Sequence, residues 1–84
     1  MKLKPTFIVR QIASDTVLMD TNDTERLIRL NETAAEILRL LGEGRTRAEI
    51  ADALCEIYEI DRVTAEADVA RILENLSALG ALED

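Results

Sequence analysis

The stretch Glu25-Arg26-Leu27-Ile28-Arg29-Leu30 runs directly into Asn31, with no linker between them. Charged and apolar residues alternate through it, the period-two signature of a half-buried strand. Asn31 is a helix-capping residue type. The stretch therefore predicts an edge strand that feeds a helix. An unpaired edge offers backbone N–H and C=O groups to another extended chain.

Upstream, Thr6 to Ile12 is short and rich in β-branched residues (Thr6, Ile8, Val9, Ile12), which predicts a first strand over 6–12. Pro5 stands just before it, where a missing N–H does little harm. Ala13-Ser14-Asp15 supplies a turn, and Thr16 to Asp20 reads as a second strand. Thr21-Asn22-Asp23-Thr24 is a second turn, because Asn and Asp tolerate left-handed backbone angles. The third strand spans 25–30. Short connections imply an antiparallel meander with the third strand on an edge.

Downstream, Ala34, Ile37, Leu38 and Leu41 form one helical stripe, so a first helix is predicted over 32–41, ended by Gly42 and Gly44. Thr46 and Glu49 have the spacing of a capping box. They open a second helix over 47–58, with Ile50, Ala51 and Leu54 inward. Asp61 is a plausible cap for a long third helix over 62–79. Val69, Ile72, Leu76 and Leu79 make its ridge, Leu73 broadens it, and Gly80 stops it. Ala81-Leu82 is expected to tuck back as a short extended tail. The fold class is α+β: a three-stranded antiparallel sheet followed by three α-helices, a winged helix-turn-helix arrangement in one domain.

The totals agree. Eighty-four residues suffice for one small domain, and 48% hydrophobic content marks it as globular. Phe7 and Tyr58 are the only aromatic residues, so the core must be aliphatic. No apolar run approaches the ~18–20 residues that cross a bilayer, and no apolar segment follows the N-terminal lysines, so no membrane partner or signal peptide is expected. A single cysteine, Cys55, fits a reducing compartment, most simply the cytoplasm. Without an evident neighbouring base, it reads as a small structural hydrophobe.

Net charge is −7, unevenly placed. Residues 1–31 carry five basic and four acidic groups; residues 32–84 carry five basic and thirteen acidic. The helical half is a poor polyanion binder. A helix-turn-helix suggests a DNA-binding regulator as the alternative. Yet from Arg62 to Glu74 the third helix carries two positive charges (Arg62, Arg71) against three negative (Glu66, Asp68, Glu74). Phosphate contacts need the opposite balance, so no nucleic-acid partner is expected.

Catalytic chemistry is scarce. There is no histidine, and one cysteine cannot make the usual zinc site. Three glycines in these positions cannot cradle a phosphate. The carboxylates lie at i, i+3 and i+4 spacings typical of solvated helix faces. The chain is expected not to be an enzyme and to need no cofactor; a structural interaction module of a larger enzyme is a further alternative.

Peptide binding uses what is present. Five or so backbone bonds at ~1 kcal/mol each barely match the ~4–15 kcal/mol entropic cost of association. A guest must therefore also place side chains in an apolar slot between the third strand and third helix. Leu27 or Ile28 and the Val69–Ile72–Leu76 ridge are its candidate walls. Arg26 and Arg29 would hold acidic guest side chains, though edge charges also guard against aggregation. A short exposed edge can pair with its own copy, so a homodimer is left open.

The ordered set of motifs resembles the PqqD family, the pyrroloquinoline-quinone synthesis protein D type. The resemblance rests on Val17-Leu18 and on Leu30-Asn31-Glu32-Thr33-Ala34-Ala35-Glu36-Ile37. It continues through Gly44-Arg45-Thr46, Glu49-Ile50-Ala51, Leu54 before Tyr58, Asp68-Val69, Leu73, Leu76 and Gly80. It implies a recognition element for ribosomally made, post-translationally modified peptides. The leader segment of a precursor peptide would add as a strand to the third strand and touch the third helix. The implied contacts are Arg26, Leu27, Ile28, Arg29, Leu30, Asp68, Val69, Ile72, Asn75 and Leu76. The implied partner enzyme is a radical S-adenosylmethionine (radical SAM) protein or a leader peptidase. Where proteins dedicated to the quinone tend to have Cys-Asp-Gly after the first helix, this chain has Leu41-Gly42-Glu43-Gly44. The resemblance thus extends to the quinone pathway (PQQ) or to another modified peptide.

Overall fold

In a computed structural model that describes residues 2–83, the elements run β1 (Lys2–Leu3), β2 (Phe7–Ile12), β3 (Asp15–Asp20), β4 (Asp23–Leu30), α1 (Glu32–Gly42), α2 (Arg47–Tyr58), α3 (Arg62–Ala78) and β5 (Leu82–Glu83). The predicted meander is β2-β3-β4, antiparallel throughout, with β3 in the middle. The architecture is α+β, a three-stranded sheet followed by three helices.

The sequence missed one element. Lys2–Leu3 is a strand, and it pairs antiparallel with the tail: Lys2 faces Glu83 and Leu3 faces Leu82. The Lys4 amide donates to the Ala81 carbonyl at 2.8 Å. Two residues give no periodicity to read, so only the tail half of this clasp was legible.

The turns also differ from expectation. Only Thr21 and Asn22 separate β3 from β4. The Asn22 amide is capped by the Asp20 carboxylate at 2.9 Å, and the Thr21 amide donates to the Thr6 carbonyl at 2.7 Å. That turn has no left-handed residue; the positive φ falls instead on Ala13, at 56°. The Ala13-Ser14 loop is two residues long and joins strands in unbroken register, where φ > 0 matches strand twist; the irregular register beside Thr21-Asn22 relaxes that demand.

Each helix start is built as its sequence suggests. Asn31 Oδ1 accepts from the Ala34 amide at 2.8 Å. Thr46 and Glu49 complete a reciprocal capping box, and Asp61 accepts from the Thr64 amide at 2.7 Å. Two helix ends close the same way. At the end of α3 the Gly80 amide donates to Ser77 and the Ala81 amide to Leu76. Gly44 and Arg45 repeat the pattern on Leu41 and Leu40 after α1. This closure needs a left-handed residue, supplied by Gly44 (φ 82°) and Gly80 (φ 74°). Ala81 is thereby drawn fully into the core.

The helices pack on one face of the sheet. Leu18 of β3 shares one hydrophobic cluster with Phe7 of β2, Ile37, Leu38 and Leu41 of α1, Ile50 and Leu54 of α2, and Leu73 and Leu76 of α3. Cys55 is half-buried beside it. No buried side-chain polar atom lacks a partner among the described residues, as a thin core requires.

Two tests follow from the caps. Asn31→Ala removes one cap acceptor and should cost about 1 kcal/mol in denaturant unfolding. The backbone amides of Thr46 and Thr64 hold the Glu49 and Asp61 carboxyls below the ordinary carboxylate range. Their contribution is complete near neutrality and is lost as pH falls below the ordinary carboxylate range through those depressed values. Asp61→Asn should therefore flatten the acid limb of the melting-temperature profile.

Candidate functional site

The hydrogen-bond phase of the sheet decides which backbone groups are free. In an antiparallel pair, alternate residues turn both their N–H and C=O to the same neighbour. The Thr21-to-Thr6 bond sets that phase. With the register Ile12↔Asp15 through Phe7↔Asp20, odd residues of β3 bond β2 and even residues bond β4. Thr16 faces Leu30 and Leu18 faces Ile28, so Leu30 and Ile28 spend their peptide groups on β3. The N–H and C=O of Leu27 and Arg29 point outward. No other strand pairs with this side of β4 among the described residues. The tail, which could have filled it, pairs with β1 instead.

The vacant segment has definite ends. Met19 faces Leu27, yet Asp20 faces Asp23, so Thr24, Glu25 and Arg26 stand opposite no residue of β3. This irregularity closes one end. Asn31, already committed to α1, closes the other.

Beside that edge lies a groove of about 210 Å³ between β4 and α3. Ile28 and Leu30 form the strand wall; Ile72, Leu76 and Leu79 form the helix wall; Leu18, Ala34 and Leu38 make the floor. Asn31, Arg71 and Asn75 supply its polar rim. The helix-wall positions are one stripe at i, i+4 and i+7. Three larger hollows, of about 420, 660 and 360 Å³, lie between α2 and α3, between the hairpin end of the sheet and α1–α2, and on the α1–α2 surface. Only the second touches β4, at Leu30, and it lies away from α3.

Not every anticipated residue converges here. Ile28, Leu30, Ile72, Asn75 and Leu76 line the groove. Strand alternation sends Leu27 and Arg29 to the opposite face, where they neighbour Met19 and Val17. Of the two candidate strand walls, Ile28 is therefore the one facing α3. Arg29 Nη2 bonds Asp15 Oδ1 at 2.9 Å, so its headgroup is not poised over the groove; its backbone is what borders the edge. Arg26 is exposed in the unpaired segment. Asp68 is half-buried and pairs with Arg71 at 3.3 Å. Val69 is core, 2% exposed, and faces the α2–α3 hollow rather than β4. The ridge read from the sequence was thus rotated. Leu79, placed on the ridge but not among the expected contacts, borders the groove, as do Arg71 and Asn31. The spacing 72-75/76-79 carried that signal, but a helix with apolar residues on so many sides did not say which side faced the strand.

Among the described residues, no group of three or more His, Cys, Asp or Glu side chains could hold a metal ion. Arg62, Arg39 and Arg45 are engaged with neighbouring carboxylates on helix surfaces. The geometry offers a short free strand edge with an apolar slot beside it.

Proline substitutions test the phase directly. Leu27→Pro deletes an outward amide and should leave a folded domain; Ile28→Pro deletes a ladder amide and should lower the melting temperature sharply. Equal damage from both would refute the assignment.

The chain is similar to several known proteins. Residues 15–82 match the family profile of coenzyme PQQ synthesis protein D (PqqD). A PqqA binding protein from Rhodopseudomonas palustris (strain TIE-1) is 38% identical over 60 residues, 71% of this chain but only 59% of that relative's length. Two solved structures superimpose over nearly the whole chain. TbiB1 in complex with the TbiA(beta) leader peptide gives a TM-score of 0.84 at 32% identity, covering 99% of this chain and 95% of that one. A lasso peptide synthetase B1 complexed with its leader peptide gives 0.85 at 32% identity, covering 99% and 96%.

Proposed function

From the premise that the chain belongs to the PqqD family, we propose that it is a non-catalytic binder of the leader segment of a ribosomally made precursor peptide. The leader adds as a strand to β4, its alternate side chains enter the β4–α3 groove, and the domain presents the rest of the peptide to a modifying enzyme. The observation that carries this reading is the vacant Leu27–Leu30 edge beside an apolar slot. Relatives solved with leader peptides bound support the class of guest.

The energetics require both parts of the site. Leu27 and Arg29 offer four backbone groups, worth about 4 kcal/mol together. That is the low end of the ~4–15 kcal/mol cost of association. Side chains buried in the groove must supply the surplus, at about 2 kcal/mol per well-buried aliphatic group. A bound guest is thus read at every second residue by Ile28, Leu30, Ile72, Leu76 and Leu79. The residues between are held on the side of Leu27 and Arg29. Arg26, Asp68 and Val69 lie outside the contact zone or serve it indirectly.

The modifying enzyme is of the radical SAM or leader-peptidase type, in quinone biosynthesis or in another modified-peptide pathway. The domain itself contributes grip and placement. A DNA-binding role gains no support: both arginines of α3 are already paired, Arg62 with Glu66 and Asp52 and Arg71 with Asp68.

Titration of labelled protein with the precursor peptide encoded beside its gene tests the site. Amide shifts should cluster on residues 27–31 and 71–79. Ile72→Ala should weaken binding by about 2 kcal/mol, or roughly 30-fold, without unfolding the domain. Shifts confined to the α2–α3 hollow, or undiminished affinity in that variant, would displace the site.

A further inference from the structure

The sheet has a second open edge. β2 pairs only with β3, and no strand lies on its outer side among the described residues. The phase that frees Leu27 and Arg29 on β4 frees Phe7, Val9 and Gln11 on β2, because Ile8, Arg10 and Ile12 bond β3. The Phe7 amide is already spent on the Lys4 carbonyl at 3.0 Å. What remains is the N–H and C=O of Val9 and Gln11 and the C=O of Phe7.

The two edges are protected differently. β4 is interrupted by the irregularity at Met19/Asp20 and carries Glu25, Arg26 and Arg29. β2 keeps an unbroken register from Phe7 to Ile12 and has a single charge, Arg10. Natural edges are usually guarded by bulges, charges or proline; β2 has little of this. Apolar side chains stay exposed around it: Val9 is 41% exposed, Ile12 48%, and Ile57 51% at the rim of the hollow that Val9 borders.

We infer that β2 is a homotypic edge: two copies of the chain join antiparallel through β2, about a two-fold axis at Val9, into one six-stranded sheet. The register follows from the groups available. An axis perpendicular to the sheet keeps the helices of both copies on one side. It also pairs odd residues with odd, as the free groups require. Centring on Val9 pairs Val9 with Val9 and Gln11 with Phe7. It uses the amides of Val9 and Gln11 and leaves the occupied Phe7 amide alone. Centring on Arg10 sets two guanidinium groups directly opposite, which is destabilising. Centring on Ile8 puts Gln11 against Pro5, which has no amide to give.

Charge does not oppose a second copy at the sheet. Residues 1–31, which form the sheet, are near neutral; residues 32–84 carry five basic and thirteen acidic groups. Approach through the near-neutral sheets meets less repulsion than approach through the helices. The joined sheet leaves both β4 edges outermost and both β4–α3 grooves on the same side, so one dimer offers two open sites.

The self-pairing of Val9 gives a charge-swap test. Sedimentation equilibrium should show wild-type mass rising toward two copies between micromolar and millimolar protein. Val9→Lys and Val9→Glu, checked for native circular dichroism, should each associate about tenfold more weakly. An equimolar mixture of the two variants should regain or exceed wild-type association. The proposal is overturned if the wild type stays monomeric at millimolar concentration, or if the mixture associates no better than its components. Loss of association in Leu27→Pro would equally overturn it and move the contact to β4.

Discussion

A strand residue turns its N–H and C=O to one side only, and the middle strand has already chosen. Because β3 gives its odd residues to β2 and its even residues to β4, every outward-facing amide of the sheet is fixed before any side chain is considered. On β4 the same alternation that points the amides of Leu27 and Arg29 to solvent points Ile28 and Leu30 at α3. Backbone pairing and side-chain reading are thus offered from one short segment, on two perpendicular axes. Neither can be shifted without the other, since a one-residue slip would turn Leu27 and Arg29 into the core.

Much of this was legible in the residues, and the reasons are local. Capping chemistry at Asn31, Thr46 and Asp61 placed every helix start, because short polar side chains have few other roles before an apolar stripe. The edge position of the third predicted strand followed from short connections. What the pattern could not give was rotation and phase. Val69 and Leu79 lie on one helix with apolar residues on several sides. Only the packing of Leu73 and Leu76 into the core decides that Leu79 borders β4 and Val69 does not. The phase of the ladder rests on the Thr21–Thr6 bond, a long-range contact that no window of sequence contains. The left-handed residue of the first hairpin is Ala13, whose identity gives no hint of it.

The charge distribution complements this arrangement. The helices are strongly anionic, while the edge and groove are apolar with an arginine on the rim. Polyanions are discouraged over most of the surface. A neutral or mildly acidic extended segment meets its least unfavourable field where the backbone is free to pair.

The clasp between β1 and β5 has a consequence for architecture. Lys2 and Glu83 lie across from each other, joined by a 3.8 Å ion pair, so the polypeptide enters and leaves the domain at one point. A unit whose ends meet can be spliced into a surface loop of another protein with little strain on either host or insert. Such a unit is portable, because its own sheet and helices need not shift to accommodate the junction.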